Sequence, residues 1–302
     1  TYHLNCQTFT QIRHQLYQKL GNLIRKLRSK VEDFQQRLQR SENADQFRQR
    51  ADLLMAYLHE WKPGLTIITL ADFETGQPVT ISLDPTKNAV QNAQSLYKRH
   101  QKLKRSRQAI EPLLAKSRDE LNYLEHVEAA IAQQETYHSA NDLALLNEIK
   151  MELIEQGYLD GDPARQPKRE SRPSFHCYES PNGFEILIGR NNHQNDHLTF
   201  RVATDYDLWF HTQEIPGSHV LLRLPPGAVP DEADLQVTAN LCAYYSRARQ
   251  SEQVPVIYTN PKRVFKPKGA RPGMVVYTHE TVIWGKPQAV DPLQGQMSPD
   301  AE

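Results

Sequence analysis

Tyr17, Leu20, Ile24, Leu27, Val31, Phe34 and Leu38 follow one another in alternating steps of three and four residues. That spacing returns apolar side chains to one narrow stripe of a helix, and such a stripe is stable only when another helix covers it. Gln, Arg and Lys fill the positions between. Ser41-Glu42-Asn43-Ala44-Asp45 interrupts the stripe, and a second helix is expected over residues 45–59, stopped by Pro63-Gly64. The runs 65–70 and 79–83, separated by Glu74-Thr75-Gly76-Gln77, predict a β-hairpin. Asp84-Pro85-Thr86 is expected to cap a long helix reaching about Tyr137. Leu96, Leu103, Ile110, Leu114, Leu121, Leu124 and Ile131 mark its stripe, which shifts by one position near Pro112, where a kink or break is expected. Two stripes around a small insert predict an antiparallel coiled-coil arm with a minidomain between its strands. Parallel self-association through the same stripes is the alternative.

Composition agrees with such an arm. Only 38% of residues are apolar, and a two-helix seam needs few apolar positions per heptad. Lys plus Arg and Asp plus Glu both total 36, so no global field selects nucleic acid and any such site must come from local clustering. Cys6, Cys177 and Cys242 offer neither a disulfide framework nor metal-ligand spacing, which fits a reducing cytoplasm. No apolar run approaches the roughly 20 residues of a membrane helix, and no signal peptide is evident, so no membrane partner is expected. The chain opens on Thr1, as a piece of a longer protein would.

Beyond a short helix over 140–156, ended by Gly157, residues 161–173 form a polar, Pro-containing linker. Short strands are expected at 175–178, 185–189, 198–202, 208–211, 219–224, 255–259, 273–278 and 281–284, with one helix over 231–250. The fold class is therefore α+β. Its expected divisions are a first arm helix (1–43), a middle domain with the hairpin (44–90), a second arm helix with a return helix (91–160), the linker (161–173), a mixed α+β domain (174–290) and a disordered tail (291–302).

The polar motifs crowd into residues 190–219. Arg190-Asn191-Asn192 with Asn195-Asp196 reads either as a structural hairpin or as a guanidinium and amides for a phosphate or base. Asp207, Trp209 and His211 share one strand face, as a stacking platform or as a Trp covering the sheet with a satisfied His. Leu208 and Phe210 face the core. Pro216-Gly217-Ser218-His219 places a tight turn before a strand, with Ser218 and His219 expected at an exposed lip. His211 and His219 with Asp196 or Asp207 match no recognised zinc signature, and no G-x-S-x-G elbow surrounds Ser218. No cofactor is expected. Two basic runs remain: Lys98, Arg99, Lys102, Lys104, Arg105 and Arg107 on the long helix, and Lys262, Arg263, Lys266 and Lys268 in a loop with Phe265 interleaved. Either a solvated face or phosphate contact explains them.

The runs GRNNHQNDHLTF, DLWFHTQEIPGSHVLLR and VFKPKGARPGMVVY, with Tyr244-Tyr245-Ser246, resemble the NFACT-R domain of the NFACT family, RqcH type. Asn92–Arg99 and LNEIKMELIEQGYL resemble the coiled-coil and middle region of the same family. The resemblance implies ribosome-associated quality control: binding of large ribosomal subunits that carry stalled peptidyl-tRNA, with contacts to tRNA and rRNA. In whole proteins of this type it also implies recruitment of tRNA(Ala) for alanine tailing, without catalysis by the protein. It further implies that Arg190, Asn191, Asn195, Asp196, His211, Ser218 and His219 form an RNA-contacting surface, so that replacing Arg190 and His219 by Ala would weaken RNA binding and spare the fold. The family's N-terminal domain and helix-hairpin-helix region are expected to be missing, and the chain is expected to be a monomer. A fibronectin-binding surface adhesin, a general nucleic-acid module and a metal-dependent enzyme are the alternatives.

Overall fold

A computed structural model describes residues 2–161 and 174–291. All of the expected linker but Gly161, and all of the expected tail but Asp291, lie outside the described residues. The fold is mixed α+β, with long N-terminal helices followed by a sheet domain.

Helix α1 (Tyr2–Ser41) buries Leu20, Ile24 and Val31 from the predicted stripe, but Leu16 replaces the exposed Tyr17. Helix α2 (Ala44–Ala56) leads through a short 3-10 turn to the hairpin β1 (Ile67–Ala71) and β2 (Pro78–Ser82), paired antiparallel from Ile67 with Ser82 to Ala71 with Pro78. Period-two alternation turns Ile68, Leu70 and Ile81 inward, onto Leu53 and Leu54 of α2 and Ala89 and Ala93 of the next helix. That helix, α3 (Ala89–Ala132), stops five residues short of the expected Tyr137 and differs from expectation in two further ways. Its cap is Asn88, whose side chain accepts from Gln91 N–H at 2.8 Å while the Gln91 side chain accepts from Asn88 N–H at 3.0 Å. Asp84 instead closes a turn by accepting from Thr86 N–H at 3.0 Å. The helix also continues through Pro112. Pro112 and Gln108, whose carbonyl loses its donor there, are both exposed, so water can satisfy that carbonyl.

The chain divides into two compact units. Residues 26–120 form one; residues up to Arg25 and from Leu121 onward form the other. In the second of these, α4 (Ala140–Glu155) precedes a six-stranded antiparallel sheet of order β10-β7-β5-β6-β4-β3. Its strands are β3 (His176–Glu179), β4 (Glu185–Ile188), β5 (Leu208–Thr212), β6 (Val220–Leu222), β7 (Val254–Thr259) and β10 (Thr281–Gly285). Ile186, Ile188, Phe210, Val220, Leu222 and Val256 pack one face against α6 (Glu232–Tyr244). Leu187, Trp209, Leu221 and Ile257 line the opposite face with Leu198 and Val264. A separate two-stranded ribbon, β8 (Val264–Phe265) and β9 (Val276–Tyr277), pairs Val264 with Tyr277 and Phe265 with Val276.

Three further expectations are corrected. Residues 198–202 are not a strand: Asn191 caps a short helix α5 (Asn192–His197), and Leu198–Val202 continues it as a π-helical turn. The Asn-rich run thus opens a helix, because its first Asn accepts from Gln194 N–H at 2.8 Å. The strand expected at 273–278 shrinks to β9. The helix expected over 231–250 ends at Tyr244, after a reciprocal cap between Asp231 and Asp234.

Gly285 shows how closely α6 sits on the sheet, since a Cβ there would lie 2.4 Å from the carbonyl oxygen of Ala239. Gly285→Ala should therefore destabilise by about 1–3 kcal/mol through overpacking. Gly21→Ala, at an open helical position, should stabilise by about 0.5–1 kcal/mol. Urea unfolding of both variants checks the pair.

Candidate nucleic-acid interface

Gly189 follows the end of β4, where a Cβ would collide with the Asn195 carboxamide, and the next residues turn inward onto α4. The Arg190 guanidinium donates to Asp142 at 2.8 Å and to the Gln134 side chain at 3.0 Å. Asn191 donates to Glu148 at 2.8 Å, and Asn192 to Glu152 at 2.9 Å. Tyr123 of α3 donates to Glu152 as well, at 2.8 Å. Each polar side chain of Arg190-Asn191-Asn192 thus meets its own acid on α4. Burial opposes ionisation of Asp142, yet the Arg190 guanidinium and the backbone N–H groups of His138 and Ser139 outweigh it and hold its carboxyl below the ordinary range. Burial wins at Glu152, whose pKa is raised despite the bonds from Asn192 and Tyr123.

Behind this dock lies a histidine cluster. The β5–β6 hairpin brings His211 and His219 together edge to face, with ring centroids 5.4 Å apart. His211 stacks on Trp209 on one side and on His126 of α3 on the other, both at 5.8 Å. Thr199 Oγ1 lies 2.8 Å from His219 Nδ1 and accepts from the Trp209 indole at 3.0 Å. Asn195 accepts from His219 N–H at 3.1 Å. Ser218 and His219 are buried rather than at an exposed lip, and Ser218 N–H donates to the Tyr245 carbonyl at 3.0 Å. Gly217 permits this approach: a Cβ would meet Thr212 Oγ1 at 2.8 Å. Burial, then the neighbouring His126, lowers the His211 pKa to about 3. Burial and then His211 push His219 well below its ordinary value, and burial lowers His126. All three rings are neutral at pH 7. Asp207 is also internal, accepting from Thr204 N–H and Leu224 N–H.

The structure therefore gathers Arg190, Asn191, Asn192, Asn195, Trp209, His211, Gly217, Ser218 and His219 inside the protein. Sequence reasoning missed their partners Tyr123, Gln134, Asp142, Glu148 and Glu152. The one available signal was Ser139-x-x-Asp142, which reads as a capping box and gives no hint that Asp142 also meets Arg190.

The basic loop is the exposed part. Asn260 caps a 3-10 turn over Pro261–Arg263, and β8 and β9 follow around a loop. Lys266 forms an ion pair with Asp196 and donates to the Arg271 carbonyl at 3.1 Å. The Arg271 guanidinium lies over Tyr123 and Tyr158, 5.3 Å and 5.9 Å from their ring centroids. Gly273, at φ +75°, packs so tightly on Asn192 that a Cβ would fall 2.5 Å from its side-chain oxygen. Lys262 pairs with Asp205 at the surface, at 2.9 Å. Arg263 and Lys268 are exposed, with no side-chain partner among the described residues. In the unit of residues 26–120, Lys98, Arg99, Lys102, Lys104, Arg105 and Arg107 are all exposed. Arg99 covers the Phe47 ring at 4.5 Å and Arg107 pairs with Glu111 at 2.7 Å, while Lys98, Lys102 and Arg105 share one face with Tyr97 and Gln101. Among the described residues no three His, Cys, Asp or Glu side chains converge to hold a metal ion.

Residues 1–172 match a family model described as NFACT N-terminal and middle domains, and residues 174–278 match the NFACT protein RNA binding domain. The chain belongs to the NFACT family. The first match takes in N-terminal and middle domains together, so it does not support the expectation that this NFACT chain lacks the former. The chain is 36% identical over 266 residues to the Rqc2 homolog RqcH of Bacillus subtilis, covering 86% of this chain and 45% of that protein. The Streptococcus pneumoniae D39 protein of the same name is 33% identical over 287 residues, covering 94% and 50%. This NFACT chain spans about half the length of these curated relatives. A solved structure described as the C-terminal of the fibronectin/fibrinogen-binding protein from Streptococcus suis aligns with a TM-score of 0.67 at 31% identity, covering 92% of this chain and 95% of that one.

Two predictions follow from the dock. Arg190→Ala leaves the Asp142 carboxylate buried without its cation and should cost about 3–5 kcal/mol, so the Arg190/His219 double replacement expected to spare the fold acts on the fold itself. Arg190→Met, with Asp142→Leu, should recover most of that loss in the same denaturation assay. The second concerns acid. Histidines with depressed folded pKa values bind protons more readily when unfolded, so their stability contribution is complete above about pH 6.5 and declines below it, for His211 toward about pH 3. For His211 the decline is up to about 1.4 kcal/mol per pH unit within that window. Glu152, with its raised pKa, works in the opposite direction. Melting temperature should thus fall between pH 6.5 and 4, and His211→Gln should flatten that slope. Identical slopes would clear the histidine cluster of the effect.

Proposed function

We propose that this NFACT chain is the RNA- and ribosome-contacting part of a ribosome-associated quality control factor. The observation that carries the reading is the NFACT RNA binding domain match over 174–278, which contains an exposed basic hairpin held in place by Asp196, Tyr123 and Tyr158. The homologues' name, Rqc2 homolog RqcH, supports the same process. In the whole protein, the bound species is the large ribosomal subunit with stalled peptidyl-tRNA and its rRNA. The tRNA recruited is tRNA(Ala), for alanine tailing. The protein acts as a non-catalytic factor in the cytoplasm and as a monomer.

Within this reading, Arg263 and Lys268 make the phosphate contacts, and Lys262 and Lys266 add positive charge beside them from their pairs with Asp205 and Asp196. Asn192 and Asp196 act from beneath by fixing the hairpin, while Arg190, Asn191, Asn195, Trp209, His211, Gly217, Ser218 and His219 shape the domain that carries it. The stripes on α1 and α3 form an antiparallel coiled-coil arm, and Lys98, Lys102 and Arg105 line its phosphate-facing side, with Arg99, Lys104 and Arg107 beside them. The working divisions remain 1–43, 44–90, 91–160, 161–173, 174–290 and 291–302.

A second reading, binding of fibronectin or fibrinogen, is favoured by the description of the S. suis structure. Sedimentation with purified large subunits, intact ribosomes, or immobilised fibronectin tests both. Pelleting with large subunits that weakens as salt rises, and exceeds that with intact ribosomes, is the expected result. Salt-insensitive retention on fibronectin without subunit pelleting would replace the first reading with the second.

A further inference from the structure

The phosphate-contacting hairpin carries one residue that its charges do not explain. Phe265 is 49% exposed, and its cross-strand partner Val276 is 51% exposed. Strand alternation accounts for the placement. Val264 and Tyr277 take the inward side, where Tyr277 meets Trp209 at 5.8 Å, so Phe265 and Val276 must take the outward side. Thr278 N–H donates to the Arg263 carbonyl at 3.1 Å, which extends the ladder by one pair and sets Arg263 on the same outward side as Phe265. The Phe265 ring stacks on no other ring among the described residues.

We propose that Phe265 is a stacking platform for an unpaired RNA base, with Val276 as its floor and Arg263 and Lys268 gripping the flanking phosphates. The proposal rests on the RNA-binding reading and adds the class of RNA recognised: single-stranded or looped rather than continuous duplex. Three observations carry it. The segment Lys262–Arg271 holds five cations and no acid, so the field around the ring suits a polyanion. The apolar patch is two side chains wide, whereas a stable protein interface needs about 800 Å² from each partner. One open ring is enough for a base, because stacking on an aromatic side chain contributes strongly for any base. The scaffold beneath is rigid. Lys266 is tied to Asp196, Arg271 lies over two tyrosines, and Gly273 abuts Asn192, so the ring is presented without an ordering cost at each encounter. Duplex RNA keeps its bases stacked within the helix and offers the ring no free face.

The test uses the intact chain with two probes, a roughly 12-nucleotide single-stranded RNA containing 2-aminopurine and a blunt duplex of equal length. Wild-type protein should bind the single strand and change the 2-aminopurine fluorescence. Phe265→Ala should weaken single-strand binding by about five- to hundredfold and abolish the fluorescence change. It should leave the salt dependence intact, since no charge is lost, and Phe265→Trp should restore binding and signal. Arg263→Ala should instead lower the slope of log affinity against log salt by about one. Wild-type single-strand affinity in Phe265→Ala overturns the platform and leaves the ring to a protein partner. Equal losses on both probes also overturn it, by giving the ring a structural part in the hairpin. If wild-type protein binds neither probe at any salt, the RNA reading of the domain fails first, a result distinct from either of these.

Discussion

The Arg190–Asp142 ion pair is the contact on which the second unit depends. Removing two charges from water costs several kcal/mol for each ion, and further bonds to both groups offset part of that cost. Asp142 also closes the N-terminal cap of α4, and Arg190 also reaches Gln134. The helix start, the end of β4 and the segment just after α3 are therefore fixed by one set of charges. Asn191 and Asn192 repeat the arrangement along α4 with Glu148 and Glu152, and α5 begins where that row ends.

From this row outward, polar residues change role with depth. Those nearest α4 are consumed in holding helix to sheet. The imidazoles behind them are kept neutral by burial and pack as aromatic rings, with Trp209 and His126 as neighbours. At the β8–β9 ribbon Arg263 and Lys268 reach solvent, while two other cations of that loop point back: Lys266 to Asp196 and Arg271 to the tyrosines. The amides that meet α4 and the buried imidazoles thus serve rigidity, while the ribbon presents a run of cations to solvent.

Much of this was legible from sequence. Short apolar runs bounded by turn residues located the strands of the sheet and the β1–β2 hairpin to within a few residues, since runs such as VLLRL or ILI are too short to make a helix. The stripe on α1 was equally clear, apart from the exchange of Leu16 for Tyr17. Two things were hidden. Residues 198–202 look like a strand because Leu, Thr, Phe and Val favour extended backbone, but a helix already nucleated by Asn191 carries them along. Burial of the polar motif was hidden for a different reason. Arg, Asn and His in turn-rich sequence usually meet solvent, and their acids on α4 stand some 40 to 50 positions earlier, with nothing in either segment to announce the match. Phe265 was visible as a ring among cations; its outward direction required the register of β8 with β9.

The bonds between α4 and the sheet join residues that are distant in the chain but adjacent in space. Continuity of the polypeptide is consequently not the sole link between the two parts. A chain cut once between Gly161 and Ser174 would remain a single particle. The helices before the cut and the domain after it would recognise each other as separate polypeptides, through three acids on one side and an arginine and two asparagines on the other.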